Sequence, residues 1–316
     1  MIRYLTFQDK AITEVDGIEN CHWISINPPF VEGELDPLAR TLDIPLDFLV
    51  DSLDIDERSR YEREDNANLI LINTPILNEA SKDNEAIYKT SPIGIILTRE
   101  LIVTVSGMDN PIIEKFLDGR VKGFNPIDKE LFTLQMFEQN VVRFLECLKK
   151  LNLKRNLIEQ ELYNSSRNRE LQELLRIEKS LVYFVNSLST NDLLMMKMKR
   201  TDLLKIREKE FHFDLFEDVI IDNNQALEMS NVYTNILSGT MEAYASIVSN
   251  NMNAFIQRLT IITIILMVPT LVASFYGMNL KHLPFDDSPY AFFILILVSF
   301  FLGILIIWFF RKASKS

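Results

Sequence analysis

Two uninterrupted apolar stretches close the chain. From Leu259 to Leu280, and again from Ser288 to Phe310, there is no charged side chain. Each stretch is long enough for a bilayer core, which takes about 20 helical residues. A core helix of a soluble domain that long would show a charged face, and these are apolar all round. The pattern predicts a hairpin of two transmembrane helices. The membrane part of the first covers about 256–276, a short polar loop spans 280–288, and the second helix covers 289–310.

Upstream, the hydrophobic spacing changes twice. Ile2 to Phe7, His22 to Asn27, Asn68 to Thr74 and Ile93 to Val105 are rich in Ile, Val, Leu and Thr and read as strands. Glu32 to Leu42 and Leu46 to Leu53 repeat Leu, Ile and Phe every three to four residues and read as short helices, with Asn78 to Glu85 as a polar loop. The expectation is a mixed α/β domain over residues 1–125. After Asn125-Pro126, a helix start, Leu134, Phe137, Val141, Phe144, Leu148 and Leu151 mark one long amphipathic helix. Leu171, Leu174, Leu181, Phe184 and Leu188 mark another beyond Asn164-Ser165-Ser166, and Ser189-Thr190-Asn191 breaks that pattern. An antiparallel helical pair over 126–213 follows. A last helix beginning near Asp214 meets no proline before Pro269, so residues 214–279 read as a stalk running into the first membrane span, roughly 90 Å at 1.5 Å per residue.

One face of that stalk differs from the rest. Steps of four and three residues from Glu242 reach Ser246, Ser249, Asn253, Ile256, then Leu259 or Thr260, Thr263, Met267, Thr270, Ser274 and Gly277. Small and hydroxylated residues in such a row serve either as a helix-packing seam or as a wall facing water. The second span offers a contrast, since Phe292 to Phe310 holds only Ser299 and Gly303 besides apolar residues, and reads as a lipid-facing partner. Two helices cannot enclose a water path. A pore therefore requires several copies with the first span innermost.

Charge fixes the orientation. Arg258 precedes the first span and Arg311, Lys312 and Lys315 follow the second, whereas the loop carries Asp286 and Asp287 against Lys281. The positive-inside rule puts both termini, including the basic tail 311–316, in the cytoplasm. Met1 to Lys10 lacks a basic start followed by an apolar stretch, so the large N-terminal part is expected to stay there too. From residue 255 onward the net charge is +3, so of the overall −11, residues 1–254 hold −14. An acidic body of that kind repels nucleic acid and attracts cations. The two cysteines, Cys21 and Cys147, have no metal-ligand spacing, and the three histidines, His22, His212 and His282, are scattered. No catalytic cluster and no organic cofactor site emerges, which argues against an enzyme.

The polar stripe holds no acidic, histidine, cysteine or lysine side chain inside the membrane, which argues against a proton relay or a bare soft metal. Amide and hydroxyl oxygens remain, from Asn253, Thr263, Thr270 and Asn279. Neutral oxygens suit a hard cation that keeps its water, and Mg²⁺ dehydrates reluctantly. Met267 and Leu259 or Ile256 are candidate apolar constrictions.

Leu259-Thr260-Ile261-Ile262-Thr263, Pro269, Tyr276-Gly277-Met278-Asn279, the short loop and the apolar second span together resemble the CorA family of magnesium transport proteins. The Gly-Met-Asn triplet after Tyr, at the end of the first of two C-terminal spans, is what makes the likeness specific. Gly107-Met108-Asp109-Asn110 lacks flanking spans and is a decoy. The resemblance implies a homopentameric, funnel-shaped channel in the cell membrane that passes divalent cations. Gly277, Met278 and Asn279 would be its selectivity filter, and Asn253, Ile256, Leu259, Thr263, Met267, Thr270 and Ser274 would line its pore, with Glu242 further down the stalk. It further implies closure by cytosolic Mg²⁺ at acidic sites between subunits, and Asp218 matches one such carboxylate in position. Two departures stand out: Pro284 is followed by Phe285 rather than an acidic residue, with Asp286 and Asp287 beyond it, and Ser274 replaces a common glycine. Alternative readings are transport of Co²⁺, Ni²⁺ or Zn²⁺, or a two-span membrane-anchored sensor or scaffold.

Overall fold

The computed structural model describes residues 1–8, 11–31, 33–64, 66–79, 85–164, 168–278 and 289–313. The chain divides into two units, the first from Met1 through Met241 and the second from Glu242 onward.

The first unit is built on a seven-stranded sheet. Its strands are β1 (Ile2–Gln8), β2 (Ala11–Val15), β3 (Trp23–Ile26), β4 (Arg60–Arg63), β5 (Ala67–Leu77), β6 (Tyr88–Thr98) and β7 (Ile102–Ser106), in the order β2-β1-β3-β7-β6-β5-β4. Only β3 and β7 pair in parallel. Because successive strand residues point to opposite faces, the apolar strands feed two cores. Leu69, Leu71, Ile96 and Val103 pack with Leu38, Phe48 and Leu49 of α1 (Leu35–Leu42) and α2 (Leu46–Asp51). On the other face Trp23, Ile70, Ile72, Ile93 and Ile95 pack with residues of α3 (Pro111–Leu117), α4 (Lys129–Asn164), α5 (Asn168–Thr201) and the start of α6 (Glu210–Tyr276). Trp23, Phe116, Phe124 and Phe132 form the centre of that core, with ring centroids 4.9–5.8 Å apart and edge-on. Edge-on packing suits the aromatic quadrupole.

The structure revises several sequence expectations. Ile93 to Val105 is not one strand: β6 and β7 form a hairpin that pairs Leu97 with Ile102 and Ile93 with Ser106. The turn between them contains Arg99-Glu100 and neither Gly nor Pro. Its hydrogen bonds come from Thr98, whose N–H and hydroxyl both donate to the Leu101 carbonyl, at 3.1 and 3.0 Å. Strands β2 and β4 and helix α3 were also unforeseen. Asn125 caps only a turn, accepting from the Ile127 N–H at 3.0 Å, and α4 starts at Lys129 with Asp128 accepting from the Leu131 N–H at 3.0 Å. Helix α6 begins at Glu210, four residues before Asp214.

Ser189-Thr190-Asn191 does not interrupt α5, which runs to Thr201. These polar residues are where the helix covers open strand backbone. Asn191 donates to the Asn73 carbonyl at 3.0 Å and accepts from the Asn73 N–H at 3.1 Å, beyond the end of β4. One face of α5 continues the same work: the Ser180 hydroxyl accepts from the Tyr88 N–H at 3.0 Å, and Ser187 donates to the Thr90 hydroxyl at 2.9 Å. A buried backbone group needs a partner, so polar residues at helical spacing sit inside the interface without breaking the helix.

Within the first unit, α6 buries His212, Phe216, Val219, Ile220, Asn223, Ala226, Ser230 and Leu237 at steps of mostly three and four residues. The Asn223 amide donates to the Leu188 carbonyl at 3.1 Å, fixing α6 against α5. Asp218, on the other side of this helix, is exposed.

Candidate functional site

The second unit contains the C-terminal half of α6 and α7 (Ala291–Ala313). Among the described residues, α6 is the helix long and apolar enough to cross a membrane. Its most apolar stretch is unburied. Helix α7 is apolar from Ala291 to Phe310.

In an apolar medium each backbone and hydroxyl group must be satisfied within the protein. The threonines of α6 meet this locally. Thr260, Thr263 and Thr270 donate to the carbonyls of Ile256, Leu259 and Leu266, four residues back, at 2.8, 2.9 and 3.0 Å. Their oxygens keep lone pairs free to accept from a donor beside the helix. Pro269 lies inside α6 and has no N–H, so the Ile265 carbonyl lacks its usual helical donor.

Helix α7 covers one side of α6. Ile261, Ile264, Ile265, Val268, Val272 and Tyr276 are half-buried, whereas Asn253, Ile256, Leu259, Thr263, Met267, Thr270 and Ser274 are all exposed. With about 3.6 residues per turn, these two rows point in opposite directions from the helix axis. A shallow depression of about 530 Å³ runs along the exposed row, lined by Thr263, Leu266, Met267, Thr270, Leu271, Ser274 and Phe275. The row is therefore not a packing seam for α7 of the same chain. Glu242, where the row begins, is exposed as well.

The small residues of α7 do face α6, a feature the reading of this span as a plain lipid-facing partner missed. Ser299 and Gly303 are buried, the Ser299 hydroxyl donates to the Leu295 carbonyl at 2.8 Å, and a Cβ built on Gly303 would lie 3.9 Å from the Ile265 Cγ2. Their spacing of four residues was the available signal, because small residues one turn apart let membrane helices approach closely.

At the end of α6 the Gly277 N–H donates to the Ala273 carbonyl at 2.9 Å and the Met278 N–H to the Phe275 carbonyl at 3.3 Å. The helix thus tightens into a turn at the first two members of the Gly-Met-Asn triplet. Asn279, Asp286 and Asp287 lie outside the described residues. No group of three or more His, Cys, Asp or Glu side chains with metal-site geometry occurs among the described residues of a single chain, and Asp218 has no such companions.

The sequence model of CorA-like Mg²⁺ transporter proteins matches residues 19–312. The chain belongs to the CorA family. A cobalt/magnesium transport protein CorA from Methanocaldococcus jannaschii is 26% identical over 307 residues, covering 92% of this chain and 90% of that protein. A second, from Thermotoga maritima, is 22% identical over 269 residues, covering 84% and 74% respectively. The fold is that of the complete CorA magnesium transporter structure from M. jannaschii, with a TM-score of 0.79 at 22% identity over 99% of this chain and 98% of the other. A CorA-family divalent-cation transporter is a membrane protein, and the exposed apolar surface of α6 is consistent with that setting.

Proposed function

We propose that this CorA-family protein is a passive, homopentameric Mg²⁺ channel of the cell membrane, in which α6 of each copy lines the pore and α7 lies outside it. The observation that carries this reading is the unbroken exposed row from Asn253 to Ser274, opposite the face of α6 that α7 covers. A row of hydroxyls and amides interleaved with Ile256, Leu259 and Met267 offers hydrogen-bond acceptors to the water shell of an ion. In a ring of copies, Ile256, Leu259 and Met267 would supply apolar constrictions of the kind that gate by dewetting.

The proposed topology has two C-terminal spans, cytoplasmic termini and an external loop bearing Asp286 and Asp287. Gly277, Met278 and Asn279 form the filter at its outer mouth, where Asn279 oxygens accept hydrogen bonds from Mg²⁺-bound water. Holding the hydrated ion suits Mg²⁺, whose dehydration is costly. An inside-negative potential drives uptake by about 2.3 kcal/mol per charge per 100 mV, twice that for a divalent ion. Rising cytosolic Mg²⁺ closes the channel by binding acidic sites between subunits, with Asp218 as one ligand, and Glu242 provides an acidic ring below the membrane. No organic cofactor or nucleic acid takes part.

The names of the M. jannaschii and T. maritima relatives support Co²⁺ as a second cargo. Flux into liposomes loaded with a Mg²⁺-sensitive dye tests the assignment. The native protein is expected to pass Mg²⁺ at low internal Mg²⁺, and Asn279→Ala to abolish or deregulate that flux. A well-folded native preparation that passes neither Mg²⁺ nor Co²⁺ would favour a membrane-anchored sensor instead.

A further inference from the structure

We propose that the cytoplasmic end of the α6–α7 seam holds the head group of an anionic phospholipid, between Arg258 on one helix and Arg311 and Lys312 on the other. The row of α6 that α7 covers, Ile261, Ile265, Val268, Val272 and Tyr276, continues by one more step to Arg258, seven residues before Ile265. Arg258 therefore belongs to the seam face and not to the exposed row from Asn253 to Ser274. A Cβ on Gly303 would lie 3.9 Å from the Ile265 Cγ2, which sets the two helices level there. Beyond that contact, Pro269 to Gly277 of α6 and Phe292 to Phe300 of α7 line one cavity, so the helices run antiparallel. On the other side of it, seven residues back along α6 lead to Arg258 and eight onward along α7 lead to Arg311, about 10 and 12 Å at 1.5 Å per residue. The basic residues of the two helices thus share one level.

That level is the edge of the bilayer. Arg258 lies eighteen residues, about 27 Å, from Tyr276, so the two bracket a hydrocarbon core about 30 Å thick. No carboxylate answers the positive charge from within the hairpin. Glu242 is the nearest acidic residue along α6, sixteen residues or about 24 Å away, and residues 288–316 contain none. Arg258 itself is exposed and has no ion pair among the described residues. Like charges gathered at one level repel. A lipid phosphate seated among them replaces that repulsion with charge-assisted hydrogen bonds, and a guanidinium offers it a two-pronged donor. The surroundings select a lipid over a soluble anion: Ile262, one turn above Arg258, and Trp308 and Ile304, one and two turns above Lys312, are exposed apolar neighbours for an acyl chain. This inference rests on the proposed two-span topology and holds whether or not the hairpin conducts Mg²⁺.

Trp308 is a natural reporter, because it is 59% exposed one turn from Lys312, whereas the other tryptophan, Trp23, is wholly buried in the first unit. The test measures quenching of its fluorescence by brominated phosphatidylglycerol and, separately, by brominated phosphatidylcholine, with the full-length protein in vesicles that mix the two lipids. Phosphatidylglycerol is expected to be preferred at Trp308 on the order of tenfold, and Arg258→Gln, on the facing helix, to lower that preference roughly fivefold. Arg258→Lys should keep most of it, the double variant Arg311→Gln, Lys312→Gln should abolish it, and millimolar inorganic phosphate should leave it unchanged. Equal quenching by the two lipids overturns the proposal. A native-like preference in Arg258→Gln also overturns it, since the tail alone would then attract the lipid, as does displacement by inorganic phosphate, which would mark a site for a soluble anion. Absence of quenching by either lipid would overturn the topology with it, whereas loss of Mg²⁺ flux alone would touch only the channel reading.

Discussion

The side-chain amide of Asn191 pairs with the backbone of Asn73 in both directions, imitating the strand that β5 lacks beyond β4. Asn140 donates to the same Asn73 carbonyl at 3.0 Å, and the Ser59 hydroxyl stands 3.3 Å from the Asn73 N–H. Removing Asn191 therefore leaves the carbonyl served and the N–H with one long bond. Asn191→Ala is expected to cost about 2 kcal/mol, and Asn140→Ala less, because a buried donor left with a single long bond costs more than a carbonyl that keeps a good one. Denaturant unfolding of the full-length protein in detergent gives both values, and an Asn140→Ala cost equal to or above that of Asn191→Ala would refute the ranking.

Close approach of α2 to the sheet depends on Gly94. A Cβ at this position of β6 would sit 1.9 Å from the Ser52 Oγ and 2.6 Å from its Cβ, and Ser52 is held by donating to the Phe48 carbonyl at 2.6 Å. Gly94→Ala is expected to destabilise by about 1–3 kcal/mol through overpacking. The double variant Gly94→Ala with Ser52→Gly should recover part of that loss. Additive effects of the two substitutions in a double-mutant cycle would show that the clash is relieved elsewhere.

These two sites mark the limit of what the sequence made legible. Apolar strands and long helices appear in the spacing because core burial imposes it, and the exposed row on α6 appears for the converse reason, as polar residues in an otherwise apolar span. The turn at Arg99-Glu100 was hidden because a Thr98 hydroxyl does the work that Gly or Pro advertises. Ser189-Thr190-Asn191 read as a break because hydrogen bonds to a distant strand edge leave no local mark. Ser299 and Gly303 read as incidental until their burial against α6 gave them a role. The Gly-Met-Asn triplet was legible only through resemblance, since three residues carry no periodicity.

The α6–α7 seam predicts a size threshold at Gly303. A methyl group would meet the Ile265 Cγ2 at ordinary contact distance, 3.9 Å, whereas a longer, branched side chain on this buried position extends toward Ile265 and must push it aside. Gly303→Ala is expected to leave the melting temperature in detergent within a few degrees of native. Gly303→Leu should lower it clearly, by the 1–3 kcal/mol typical of overpacked helix contacts. Equal melting temperatures for Gly303→Leu and native would mean that α7 does not pack through this face.

Acid sensitivity follows from two carboxylates that join helices. Burial alone would raise the Asp128 carboxyl, but the hydrogen bonds from Lys209 and the Leu131 N–H, with His212 nearby, hold it below its ordinary value. Burial likewise works against the ionised Glu173, and bonds from Lys154 of α4 at 2.5 Å and Arg176 of α5 at 2.6 Å outweigh it. For a carboxyl depressed in the folded state, the added stability is complete above the unfolded value of about 4 and disappears as pH falls through the folded value. Native stability should therefore fall on acidification below about pH 4.5. The double variant Asp128→Asn, Glu173→Gln should start lower at neutral pH, fall less steeply and approach the native curve at the acid end. Melting curves of both proteins from pH 7 to about pH 2.5 decide it. Parallel curves with a constant offset would place the acid-labile stabilisation on other groups, because charge lost to protonation must erase the difference between a carboxylate and its amide.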